Sequence, residues 1–122
     1  MKSPYKGKTG IKRLINAFRY SVAGTFAAFK HEDAFRQEVI HAIILTPVAL
    51  YYGETPIDQA LMISSLLFII VVELLNSAVE ATVDRISVKR HKLAKRAKDI
   101  GSAAVFFSLI NAAAIWFLIL VK

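Results

Sequence analysis

Cysteine is absent from the chain. That removes disulfides, zinc–thiolate centres, iron–sulfur clusters and cysteine nucleophiles from consideration. Histidine is scarce, and His31, His41 and His91 lie too far apart to match any metal-ligand spacing. There is no internal repeat and no low-complexity segment. The basic N-terminus lacks the early uninterrupted apolar core of a cleaved signal peptide. Acidic residues are few, nine against sixteen Lys and Arg, which leaves a net charge of +7. In a soluble protein such an excess points to nucleic acid. Here the basic residues flank long hydrophobic runs, where they set the orientation of membrane spans.

Those runs dominate the rest of the sequence. The 122 residues allow one domain, residues 1–122, and 56% of them are hydrophobic, with a mean hydropathy of +0.49. That exceeds the usual share for a soluble globular domain, so a bilayer is the expected solvent. Three apolar segments stand out: Val39 to Tyr52, Gln59 to Val83 and Gly101 to Val121. A helix needs about 20 residues to cross the hydrocarbon. The third segment meets that length outright. The second meets it if its carboxylates are buried in protein. The first meets it only if its helix starts near Ala34.

Charge placement favours three spans. Eight basic residues fall in residues 1–38, seven in residues 84–100, and none in the linker Gly53 to Asp58; Lys122 stands alone. The positive-inside rule puts the two basic stretches in the cytoplasm and the linker outside. Ahead of the first span, Ile11, Leu14, Ile15, Phe18, Val22 and Phe26 recur at helical spacing, with Lys12, Arg13 and Arg19 between them. This is the pattern of an amphipathic helix on the inner leaflet. The expected architecture is all-α: a surface helix at roughly 10–30 and spans at roughly 34–52, 58–83 and 100–121. Pro47 would kink the first span, and Pro56 fits the outer turn.

Three clusters could carry chemistry. Glu73, Asn76, Glu80 and Asp84 are spaced 0, 3, 7 and 11, so they share one face of a helix. A carboxylate at mid-membrane costs roughly 2.5 kcal/mol or more and normally faces a functional interior. The second cluster is Glu32-Asp33-Ala34-Phe35-Arg36-Gln37-Glu38, which by itself also reads as a solvated charge run. The third is Arg96-Ala97-Lys98-Asp99-Ile100-Gly101-Ser102-Ala103-Ala104, which by itself also reads as a basic flank and a small-residue packing face. All three fall at one membrane face. Carboxylates that hold Mg²⁺, cations that neutralise nucleotide phosphates and a carboxylate that accepts a hydroxyl proton are the parts phosphoryl transfer requires. Gly7-Lys8-Thr9 mimics the end of a P-loop, but the earlier glycine would fall at Lys2. A channel lined by Glu73 and Glu80, or a scaffold, are the alternatives from other classes. A channel needs polar groups along a whole span, whereas these crowd its cytoplasmic half.

The block Glu73-Leu74-Leu75-Asn76-Ser77-Ala78-Val79-Glu80 with Asp84-Arg85 closely resembles the signature of the bacterial integral-membrane diacylglycerol kinases. Arg96-Ala97-Lys98-Asp99 with Gly101-Ser102-Ala103-Ala104, and the run Glu32 to Glu38, resemble two further motifs of that family. The resemblance covers nearly the whole chain. It implies a homotrimer in the bacterial cytoplasmic (inner) membrane, with its active site facing the cytoplasm. It also implies ATP-dependent phosphorylation of diacylglycerol to phosphatidic acid, with Mg²⁺ as cofactor.

Carried over position by position, the resemblance makes Glu73 the general base and Asn76 a group that helps position the reactants. Glu32 and Glu80 would hold Mg²⁺ on the nucleotide. Lys98 and Asp99 would contact the nucleotide, Lys98 near phosphate. Arg13 and Tyr20 would close over the site. Ser21, Ala34, Phe35, Arg36, Gln37, Glu38, Ser102 and Trp116 would line the lipid path. Lys89, Arg90, His91, Lys92 and Leu93 fall at the family's nucleotide loop, which is more basic here than in the family pattern. An undecaprenol kinase of the same fold is the alternative within this resemblance; Ala34 to Glu38 looks more like the diacylglycerol branch.

The orientation is open to direct test. Single cysteines introduced at Thr55 and beside Lys122 are expected to react with an impermeant thiol reagent on intact cells, and cysteines at Thr9 and Ser87 are not. Labelling of position 87 from outside would sink the three-span topology.

Overall fold

The computed structural model describes residues 10–86 and 92–121, all but a few of them in four helices. These are α1 (Ile11–His31), α2 (Asp33–Tyr52), α3 (Pro56–Ile86) and α4 (Lys92–Leu120). The central element is α3, which packs against α2 on one side and α4 on the other; α1 reaches α2 and the end of α3 nearest it.

The corner between α1 and α2 follows from local chemistry. Glu32 alone is extended, with φ −118° and ψ 109°. Its N–H still donates to Ala28 O at 2.8 Å, and its own carbonyl accepts from Arg36 N–H at 3.1 Å. The last carbonyls of a helix lack intrahelical partners. Arg36 supplies them: its guanidinium donates to Phe29 O at 2.7 Å and Lys30 O at 3.0 Å, and also pairs with Asp33. Phe35, only 1% exposed, fills the inside of the corner. Asp33 in the first turn of α2, and Lys30 and His31 in the last turn of α1, match the helix dipoles.

At the other end, Gly53 to Thr55 turn the chain back. Pro56 opens α3 instead of lying in the turn, where its missing N–H leaves no partner unmet. Thr55 Oγ1 caps the helix by accepting from Asp58 N–H at 3.1 Å. The Gln59 amide donates to Leu50 O and Gly53 O at 3.1 and 3.2 Å. Helix α2 runs through Pro47 unbroken.

The buried ridge of α3 is Met62, Ser65, Leu66, Ile69 and Glu73, a run of three- and four-residue steps on one face. Its N-terminal end is tied to α4 by Trp116, whose Nε1 donates to Ser65 Oγ at 3.0 Å and Met62 O at 3.2 Å. Its C-terminal end turns polar at Glu73. Among the described residues two helices are long and apolar enough to cross a membrane, the most apolar 18-residue stretch of α3 having mean hydropathy 2.1 and that of α4 2.3. Only 28% of the most apolar stretch of α3 and 11% of that of α4 are buried within the chain. The apolar stripe of α1 is equally uncovered: Leu14, Phe18 and Phe26 are each about 70% exposed. Hydrophobic surface on this scale calls for lipid or other chains around it. Both long helices also run past their apolar segments, so Lys92, Lys95, Arg96 and Lys98 are helical. Lys89, Arg90 and His91 lie outside the described residues.

Two glycines predict opposite outcomes. A Cβ at Gly53 would meet Gln59 Cγ at 2.6 Å and Ala49 O at 2.8 Å, whereas one at Gly24 meets nothing within 4 Å. Gly53→Ala is expected to destabilise the fold by about 1–3 kcal/mol through overpacking. Gly24→Ala, inside a helix with free space, is expected to stabilise by up to about 1 kcal/mol. Thermal melts of the two variants in detergent check the difference in sign.

Candidate active site

The polar end of α3 forms the floor of the site. Glu73 continues the ridge begun by Met62 and is 3% exposed. Asn76 and Glu80 rise from it on the same face, one and two turns further along, and Asp84 completes the stripe. Seven residues place Glu80 about 10 Å beyond Glu73 along the helix axis.

The corner at Glu32 brings a second acid to this stripe. The extended backbone there turns the residue toward α3, and the carboxyl groups of Glu32 and Glu80 come within hydrogen-bonding reach. The charges nearest Glu73 are those of Glu38, Glu80 and Glu32. Four carboxylates from α2, α3 and the α1–α2 corner therefore converge. The cation whose field reaches Glu80 is Lys98 on α4. Lys98 Nζ already donates to Asp84 Oδ1 at 2.8 Å. The hydrogen bond and charge of Asp84 hold the Lys98 ammonium above the usual lysine pKa, so it stays charged across the physiological range.

Two like charges about 4 Å apart repel by roughly 4 kcal/mol at an effective dielectric near 20. Among the described residues, Lys98 is the cation whose field reaches Glu80, and it is already engaged by Asp84, so a divalent cation could offset charge left on these carboxylates. Among the described residues no three His, Asp or Glu side chains form a complete metal cage. The pair Glu32 and Glu80 fits instead the kind of site in which one or two carboxylates share Mg²⁺ with phosphate oxygens and water.

Two grooves meet the cluster. One, of about 460 Å³, runs between α1 and α3 and is lined by Ser21, Gly24, Thr25, Ala27, Ala28, His31, Glu32, Leu74, Ser77, Ala78 and Ala81. Its walls are small residues, which is what leaves room between the helices. The other, of about 320 Å³, is lined by Glu38, His41, Leu45, Leu66, Ile69, Leu109, Ala112, Ala113 and Trp116. It is polar at one end, where His41 Nδ1 lies 3.3 Å from Glu38 Oε1, and apolar along the rest. A long-chain lipid with a polar head has that character.

The fold thus gathers Glu32, Glu38, Glu73, Asn76, Glu80 and Lys98, with Ser21 and Trp116 lining the grooves. It separates others from them. Lys98 faces α3, but Asp99 is turned about 100° around α4 and pairs with Lys95 at 2.7 Å. Asp99 and Lys92 belong to a shallow outward depression with Lys95, Arg96, Ile100 and Ala103. Leu93 is 59% exposed. Arg13 and Tyr20 are exposed on α1, on the side away from its apolar stripe. The guanidinium of Arg36 caps α1, so its structural part is to hold the corner that carries Glu32. Phe35 is core, while Ala34, Gln37 and Ser102 are exposed. Sequence reasoning passes over the Asp84–Lys98 pair and the contact of Asn76 with Gly101. Opposite charges at the end of one apolar run and the start of the next, Asp84 and Lys98, are the available signal for the first.

The sequence profile described as "Prokaryotic diacylglycerol kinase" matches residues 19–120. A protein named "Diacylglycerol kinase" from Pseudomonas aeruginosa is 52% identical over 118 residues, covering 97% of this chain and 96% of that one. Relatives of the same name are 52% identical in Haemophilus influenzae, covering 88% of this chain and 92% of that one, and 44% identical in Escherichia coli, covering 92% of each.

Alanine at Glu32 or Glu80 is expected to raise the Mg²⁺ concentration needed for nucleotide binding at least several-fold, because a divalent ion prefers several oxygen ligands. Magnesium titration of nucleotide affinity in each variant makes the check. Unchanged dependence in both would remove the pair as a cation site.

Proposed function

The chain belongs to the prokaryotic diacylglycerol kinase family, and on that premise we propose that it transfers the γ-phosphoryl group of ATP to diacylglycerol, forming phosphatidic acid at the cytoplasmic face of the bacterial inner membrane. The single observation that carries the mechanism is the buried Glu73, set at the foot of the carboxylate stripe about 10 Å deeper than Glu80. A water-soluble nucleotide stays near the level of Glu80 and Lys98. A lipid hydroxyl sits below the headgroups, at the level of Glu73.

In this reading Glu73 accepts the proton of the lipid hydroxyl as that oxygen attacks the γ-phosphorus. The new O–P bond forms as the bond to the β-phosphate oxygen breaks, and ADP leaves. Lys98, held charged by Asp84, neutralises phosphate. Glu32 and Glu80 would hold Mg²⁺, which would offset the negative charge of the phosphates. Asn76, between Glu73 and Glu80, holds the reacting groups in place. Arg13 and Tyr20 on α1 close over the site, toward nucleotide and lipid alike, and Lys89, Arg90, His91, Lys92, Leu93 and Asp99 are assigned to nucleotide. The residues from Ala34 to Glu38, with Ser21, Ser102 and Trp116, remain assigned to the lipid path. The groove from Glu38 to Trp116 suits an acyl chain.

The reading extends to the whole molecule. Helix α2 makes a third crossing beside α3 and α4, although its first nine residues carry Asp33, Arg36, Glu38 and His41. Helix α1 rests its uncovered apolar stripe on the inner leaflet. A homotrimer would cover apolar surface that the single chain leaves open. The relatives, all named for diacylglycerol, favour that lipid over undecaprenol, and a family of kinases leaves the channel alternative without support.

Glu73→Gln tests the base. Glutamine keeps the shape and hydrogen bonding of the side chain but lacks the basic oxygen. The variant is expected to fold and bind Mg²⁺-ATP normally, yet lose at least a hundredfold in lipid phosphorylation. Near-normal transfer of radiolabel to diacylglycerol in mixed micelles would leave Glu73 a packing residue.

A further inference from the structure

Helices α3 and α4 come into close contact where Asn76 faces Gly101. A Cβ added to Gly101 would fall on the Asn76 side-chain oxygen, with Asn76 Cγ next at 3.2 Å. Backbone conformation does not explain this glycine: it lies inside α4, and among the described residues the one positive φ is at Gly10. A glycine within a helix is less stable than alanine by about 0.5–1 kcal/mol. The space that Gly101 leaves is filled by the amide of Asn76.

That amide is itself unusual. Its Oδ1 is sealed between the helices and accepts no hydrogen bond among the described residues. A buried unpaired acceptor costs about 1–3 kcal/mol. The side chain as a whole is only half-buried, so the arm left to meet a ligand is the NH₂ group, a double donor. It stands on the stripe between Glu73 and Glu80, two acceptors that cannot themselves donate when ionised.

We infer that Gly101 is a positioning residue for phosphoryl transfer. By carrying no side chain it lets Asn76 lodge its oxygen against the α4 backbone. The NH₂ group is thereby held toward the space between Glu73 and Glu80, where it donates to a phosphate or hydroxyl oxygen of the reacting pair. The inference rests on the lipid-kinase reading, and Gly101 touches neither substrate; it acts through Asn76. An alanine there forces the amide to turn or the helices to part by on the order of an ångström. A displacement of that order is felt at a reacting centre far more than in substrate binding.

The experiment compares full-length wild type, Gly101→Ala, Asn76→Ala and the double variant in mixed micelles, with Mg²⁺-ATP and diacylglycerol and with activity normalised to folded protein by size exclusion and thermal melt. Gly101→Ala is expected to lower kcat at least tenfold while KM for ATP and for diacylglycerol stays within about threefold. Asn76→Ala is expected to lower kcat similarly. The double variant is expected to match Asn76→Ala, because a methyl group at position 76 is too short to meet one at position 101, and the two losses are one loss. A kcat for Gly101→Ala near wild type, or a double variant whose loss is the product of the two single losses, overturns the inference. If Gly101→Ala alone does not fold, the pair built on Asn76→Ala decides: equal kcat supports it and a further fall overturns it. Absence of lipid phosphorylation by the wild type rejects the parent reading and this one with it, whereas active wild type with unimpaired Gly101→Ala rejects this one alone.

Discussion

Mutual repulsion among carboxylates at the end of a hydrophobic ridge is the constraint on which the rest of the structure depends. Glu73, Glu80, Glu32 and Glu38 are brought together from three stretches of chain, against a Coulomb penalty that grows as water is withdrawn. Hydrophobic burial holds them there. The same face of α3 that carries Glu73 and Glu80 is packed through Met62, Leu66 and Ile69 and tied to α4. Its acidic end cannot turn away without unpacking its apolar end. Charges that repel are kept at close range by contacts several turns away.

The α1–α2 corner solves a related problem. A single extended residue would be a loose joint, yet Glu32 is bracketed by two backbone hydrogen bonds and by the Arg36 cap. The packed Phe35 ring adds a hydrophobic stop. Backbone hydrogen bonds, the guanidinium cap and ring packing together fix the direction of one carboxylate. The proposed cation site follows from this joint as much as from the acids themselves.

Periodicity makes much of this legible in the sequence. Steps of three and four put Glu73, Asn76, Glu80 and Asp84 on one face, because helix geometry alone decides it. The all-helical character and the apolar lengths of α3 and α4 are readable for the same reason. What pairs across helices is not. Lys98 and Asp99 are neighbours in sequence and diverge by about 100° around α4, so a motif that names both does not say which meets Glu80. Arg36 reads as one more charge in an acidic run until the turn before it is known, since its partners are backbone carbonyls with no sequence signature. The role of Gly101 depends on the distance between two helices, which a single strand of letters does not encode. Pro56 reads as part of the turn and starts α3 instead, because proline suits both settings equally.

Trp116 is the chain's only tryptophan, and its indole bridges α4 to the Ser65 hydroxyl and the Met62 carbonyl at the end of the bundle away from the carboxylates. An indole N–H held by two oxygens senses its local polarity through its excited-state dipole. The intrinsic fluorescence of this protein is thus a one-site optical gauge of how α3 and α4 are joined, with no competing emitter of its kind. The gauge lies several helical turns from the chemistry, so a spectral change on adding nucleotide would mean that the two ends of the helix pair move as one body.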